Sequence, residues 1–284
     1  MNTVFLIIIV FGLVAQNIAK KEFSKRVNSG TMTFNAGCVA ATLVFFAATS
    51  GGNLVFSSET LLYALAFAAV YTICTITTLA AIKTGPLSLT ALISSYSLII
   101  PTVYGMTALG EPVTKRVITG IVLLMVSLVF VNLEKRGEEK KITAKWLIYV
   151  TISFLINGMC SVVQRLHQIS SGGLYKNEFM LIALTISLVV LMLIALISEY
   201  GQFKNTLKKG FVWYTASGIS NGLVNLFVMV LALKMSASVM FPVISGGSIV
   251  LTVLIAWLCY KEKLSKNQLI GVALGVMSII LLNI

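Results

Sequence analysis

Residues 80–131 read AAIKTGPLSLTALISSYSLIIPTVYGMTALGEPVTKRVITGIVLLMVSLVFV, and residues 231–282 read LALKMSASVMFPVISGGSIVLTVLIAWLCYKEKLSKNQLIGVALGVMSIILL. Set 151 positions apart, the two stretches superpose without a gap. Lys83 falls on Lys234, Ser94 on Ser245, Ser97 on Ser248, Glu111 on Glu262, Gly120 on Gly271 and Ser127 on Ser278. The register reaches upstream to Tyr63 on Tyr214. Shared hydrophobicity alone does not align polar residues and glycines in this way, so the chain is internally repeated.

Outward from these stretches, apolar runs continue in both directions. A bilayer-crossing helix needs about 20 mostly apolar residues. Ten such runs are read, at about 3–19, 31–49, 60–82, 86–108, 114–133, 146–165, 179–198, 211–233, 237–259 and 265–283. The longest polar stretch, EKRGEEKKITAK at 134–145, falls between the fifth and sixth. The expected organisation is one five-helix repeat over 1–133, a cytoplasmic linker over 134–145 and a second five-helix repeat over 146–284. The fold class expected is an all-α membrane protein with ten transmembrane helices in two inverted repeats. Five is odd, so consecutive repeats must cross the membrane in opposite directions. That arrangement is a signature of secondary transporters, with substrate held at the repeat interface.

Composition agrees. Of 284 residues, 58% are hydrophobic and 11% charged, far from a soluble domain. The net charge of +12 therefore does not point to nucleic acid; it points to loop lysines and arginines. Loops on one side carry 16 Lys and Arg and those on the other carry 5. The positive-inside rule places the first set in the cytoplasm and both termini outside, in a plasma (inner) membrane. Trp146, Trp213 and Trp257 fall near the cytoplasmic ends of their spans, as interfacial anchors do. The start of the chain lacks the basic segment of a cleaved signal peptide, since Lys20 and Lys21 follow the apolar run.

The acids are nine glutamates and no aspartate, and His167 is the only histidine. A Ser-His-Asp triad and Asp-rich metal motifs are impossible, so no metal, cofactor or catalytic residue is expected. The four cysteines stand alone in apolar runs and read as buried small residues. His167 reads as a loop bystander. Glu111 and Glu262 read as structural, at the starts of the spans they precede, with Thr114 and Ser265 as caps. Gly271 and Gly275 form a GxxxG, read as close helix packing or a dimer face.

Residues 80–131 and 231–282 resemble the EamA repeat of the drug/metabolite transporter superfamily. Each has a small-residue turn after a lysine, an apolar helix with a proline, a Gly-Glu or Lys-Glu step, and a helix opening with a glycine. The resemblance implies a ten-helix transporter and leaves the substrate open. The first span carries no acid, unlike that of the small multidrug antiporters, and the FYNN-like and GALNK-like motifs of nucleotide-sugar carriers are absent.

Intramembrane charges mark ion and proton pathways, and the third, fourth, eighth and ninth spans carry none as drawn. The candidates for substrate contact are therefore neutral: Gln16, Tyr71, Thr75, Ser94, Tyr96, Ser97, Asn157, Ser161, Asn221, Asn225, Ser245 and Ser248. An amide in hydrocarbon needs partners, so these faces point at protein or at a wet cavity; serines and threonines also serve as glue between helices. Pro101 and Pro242 are candidate hinges. The expected activity is alternating-access transport of a small polar or amphipathic metabolite, such as an amino acid or related compound, without an acidic proton relay. The alternatives are a flippase or exporter of a lipid-linked, amphipathic or drug-like compound and, from another class, an integral-membrane enzyme. The expected partners are the substrate and the lipid bilayer, with a monomer and a homodimer both open.

Overall fold

The computed structural model describes residues 2–27, 30–52, 54–55, 57–85, 90, 93–94, 96–132, 143–260 and 265–283. Among them are ten extended helices: α1 Asn2–Arg26, α2 Thr31–Thr49, α3 Ser58–Thr84, α4 Ile99–Thr107, α5 Lys115–Asn132, α6 Ala144–Ser170, α7 Lys176–Ser198, α8 Tyr200–Ala232, α9 Ala237–Tyr260 and α10 Lys266–Asn283. They follow the ten predicted runs in order, and no strand occurs among the described residues. Seven are long and apolar enough to cross a membrane. Large apolar side chains face outward, with Ile197 83% exposed, which suits lipid and not water. Nearly all of the predicted linker, with Glu262 and Ser95, lies outside the described residues.

Three boundaries differ from the expectation. The 33-residue α8 begins at Tyr200, so Lys204, Lys208 and Lys209 lie on helix and not in a loop. At about 1.5 Å per residue it is near 50 Å long, more than the hydrocarbon thickness. The helix α6 runs on to Ser170 and takes in His167. The predicted 86–108 span is interrupted: Ser97 and Leu98 form a turn before α4 begins at Ile99.

The helices pack into two compact units that cut across the sequence halves. One comprises residues 3–72 and 163–233, the other 73–162 and 234–284. The helices α3 and α6 each contribute to both.

In the first unit α2 lies against α7 and α8. Gly218 permits this, because a Cβ there would sit 2.4 Å from the Cys38 carbonyl oxygen. Thr42 Oγ1 donates to the Gly218 carbonyl at 2.9 Å across the same contact. Gly30 precedes α2 with positive φ and has no side chain to cap it. The carboxylate of Glu199, between α7 and α8, supplies the cap, accepting from Met32 N at 2.9 Å and Thr33 N at 2.8 Å.

His167 is not a loop bystander. It is fully buried in this unit, stacked 4.3 Å from Phe179, with Nε2 3.2 Å from Thr60 Oγ1. It lies on a helix that continues past the predicted span, and that continuation carries it into the packing.

In the second unit α10 packs on α5 and α9, and α9 also meets α4. Ser127 Oγ donates to the Gly271 carbonyl at 2.6 Å, and Ser278 Oγ to the Gly120 carbonyl at 2.7 Å. These four residues are two repeat-related pairs, and their bonds are reciprocal. Were α5 and α10 parallel, closing one bond would leave the other partners about 20 Å apart. The two helices therefore run antiparallel, as the last helices of inverted repeats must. Gly275 turns its face to Ser127 and Val250 within the unit, so the GxxxG serves packing inside the chain.

Glu111 is structural, as read, but serves a distant helix: it accepts from Ala237 N at 2.8 Å and Ser238 N at 2.9 Å, capping α9. Thr114 does cap α5, accepting from Val117 N at 3.2 Å. Trp146 is not an interfacial anchor. It is 3% exposed and donates to Thr90 Oγ1 at 2.9 Å, and Gly85 leaves room for its ring. Trp213, under the Arg26 guanidinium at 5.0 Å, and Trp257, 51% exposed, remain at the surface.

Candidate functional site

The polar candidates fall into two groups, one in each unit. In the first unit, α1, α6 and α8 bring four amides into one chain. Gly12 lets α1 approach α8, since a Cβ there would lie 2.7 Å from Val224 Cγ2. Phe5 stacks on Phe227 at 4.9 Å one helical segment away. One turn after Gly12, Gln16 then meets Asn221, whose Nδ2 donates to Gln16 Oε1 at 3.3 Å. Asn225 Nδ2 donates to Asn221 Oδ1 at 3.0 Å and to the Asn221 carbonyl at 2.8 Å. Gln164 Nε2 donates to Asn225 Oδ1 at 3.1 Å. Gln16 is 7% exposed, and its Nε2 has no hydrogen-bond partner among the described residues. Leaving such a donor unmet costs about 1–3 kcal/mol. The next residue, Asn17, is exposed. Tyr71 lies on α3 in this unit, stacked 5.7 Å from Phe67.

In the second unit the cluster is built around the break before α4. Pro101 stands in the first turn of α4, where a missing N–H is tolerated. It cannot donate to the Ser97 carbonyl, which accepts from Ile100 N at 3.1 Å instead. Ser97 Oγ donates to the Ser94 carbonyl at 2.7 Å and accepts from Asn157 Nδ2 at 2.6 Å. Asn157 Oδ1 accepts from Cys74 Sγ at 3.6 Å. Gly158 makes this approach possible: a Cβ there would fall 2.7 Å from the Ser97 carbonyl oxygen. Ser94 Oγ is buried without a partner among the described residues.

Tyr96 donates its hydroxyl to the Met125 carbonyl at 3.1 Å. A small cleft brings Tyr96, Thr102, Pro242 and Ser245 together with apolar side chains of α5. Ser248 Oγ donates back to the Ser245 carbonyl at 2.9 Å. Pro242 is inside α9, and that helix continues through it. Thr75 on α3 and Ser161 on α6 are half-buried in the same unit.

Gln164 was visible in the sequence only as one polar residue among many, and its place at the head of the amide chain comes from its hydrogen bond to Asn225 of α8. Gly12, which sets the approach, carries no signal apart from its spacing of four from Gln16. Among the described residues no group of three or more His, Cys, Asp or Glu is placed to hold a metal ion.

Residues 144–284 match the EamA-like transporter family. No curated protein matches the chain. Solved structures do, among them one described only as a crystal structure of a protein. It is 11% identical, with 99% of this chain and 95% of that chain covered and a TM-score of 0.79. At that identity the likeness is one of fold.

Proposed function

Because this chain belongs to the EamA-like transporter family through its residues 144–284, we propose that it moves a small polar or amphipathic metabolite, an amino acid or related compound, by alternating access. The family lies within the drug/metabolite transporter superfamily, and the protein is an integral, multi-pass membrane transporter.

The observation that carries the substrate class is the chain Gln164–Asn225–Asn221–Gln16. Four neutral amides in membrane helices make a site for hydrogen-bonding groups and a poor one for a bare hydrocarbon. A lipid-linked or drug-like cargo would favour an apolar lining. Within the second unit, the Asn157–Ser97 pair at the broken helix is a separate polar candidate for ligand contact. Pro101 and Pro242 are the proposed hinges, and the plasma membrane with both termini outside is the proposed setting.

A thermal-shift screen of metabolites on the purified protein, followed by liposome uptake of the hits, tests the reading. Alanine at Asn157, Asn221 and Asn225 together should cut uptake at least about tenfold while the protein still purifies as a single species. Wild-type uptake in that triple variant would overturn it, as would a response only to lipid-linked compounds.

A further inference from the structure

The amide chain has a direction, and one bond sets it. Asn225 Nδ2 lies 2.8 Å from the Asn221 backbone carbonyl, which can only accept. Asn225 therefore places its NH2 toward Asn221 and its Oδ1 toward Gln164, whose Nε2 donates to it. Asn221 Oδ1 receives the other Asn225 N–H, so Asn221 turns its own Nδ2 to Gln16 Oε1. Every donor points the same way, and the last, Gln16 Nε2, is buried and meets no acceptor among the described residues.

A row of aligned hydrogen bonds polarises each member, so the terminal N–H is a stronger donor than an isolated amide.

We propose that Gln16 Nε2 is the docking point for a carboxylate of the transported molecule. The substrate class is then a small carboxylic acid, amino acids included, and amines without an acid group are excluded from this point. The inference rests on the transport reading above but concerns which end of the molecule is held.

The experiment uses the full-length protein in detergent and follows its thermal midpoint with the twenty amino acids, pentanoate and pentylamine. The wild type should be stabilised by the carboxylates and not by pentylamine. Gln16→Met keeps the length and loses the donor, and should weaken carboxylate binding about tenfold or more. Gln16→Glu can still accept from Asn221 but presents an anionic oxygen in place of the donor. It should reverse the preference toward pentylamine, an outcome that loss of packing does not produce.

Pentylamine preferred by the wild type, no carboxylate bound at all, or carboxylate binding unchanged in Gln16→Met would each overturn the proposal. Should Gln16→Glu fail to fold, Gln16→Met decides alone. Liposome uptake separates the two readings. Uptake and acid binding unaltered in Gln16→Met sink the docking point and leave transport standing. Acid binding that depends on Gln16, with no metabolite taken up by the wild type, sinks transport and leaves the docking point.

Discussion

The segments Ser94–Pro101 and Ser245–Thr252 are repeat mates, yet one breaks and the other does not. Both use the same local bond, serine hydroxyl to the carbonyl three residues back, at 2.7 Å for Ser97 and 2.9 Å for Ser248. Such back-bonding alone therefore does not break a helix here. The difference is the eighth residue. Pro101 has no N–H for the Ser97 carbonyl, whereas Thr252 keeps its N–H and adds a hydroxyl bond to the Ser248 carbonyl at 2.6 Å. At the break, Asn157 of α6 donates to Ser97 Oγ, and Gly158 packs against Ile100 and the Ser97 carbonyl. An irregular backbone at membrane depth persists only where protein or water meets its polar groups.

Transplanting the proline is the strongest way to break this comparison. Thr252→Pro should interrupt α9 at Ser248 and cost about 3 kcal/mol, read as a fall in the thermal midpoint in detergent. An unchanged midpoint would mean that the proline is not what separates the two segments. Gly158→Ala should cost about 2 kcal/mol, because the new methyl falls on Ile100 and on the Ser97 carbonyl. A neutral result would show that the break is not held from α6.

Ser97→Ala removes the acceptor of Asn157 Nδ2 and should cost about 1 kcal/mol, with Ser248→Ala below about 0.5 kcal/mol. Equal effects of the two would erase the asymmetry. Pro101→Thr should be the mildest in stability, and it sharpens the picture. With an N–H restored toward Ser97, amide exchange across residues 98–102 should slow about fivefold, measured by mass spectrometry. If exchange stays fast there, the turn is imposed by packing and not by the missing donor.

Much of the architecture was legible in the sequence because it depends on length and period. Ten apolar runs and a gap-free repeat need no knowledge of contacts. The same reading failed wherever a partner was distant. Glu111 and Glu199 cap helices 126 and 167 residues away, and nothing local to either glutamate announces it. Trp146 and His167 are polar-tipped rings near helix ends, and the sequence reading places the first at an interface and the second in a loop. Their burial followed from Gly85 in one case and from the length of α6 in the other. Of the twelve substrate candidates, Gln16, Asn221 and Asn225 are joined directly in one chain, and Ser97 and Asn157 in another.

By itself, then, the sequence determined a multi-helix membrane chain in two related halves, with few charges inside and neutral amides in their place. Hydrophobic length and residue identity are local properties, and they suffice for that. Tertiary structure alone decided which way the amides point. The direction comes from a backbone carbonyl at Asn221, and its end at Gln16 comes from the approach that Gly12 allows. A hydrogen bond has a donor and an acceptor, but a glutamine in a sequence has both. Only its neighbours in space decide which one is left for a ligand.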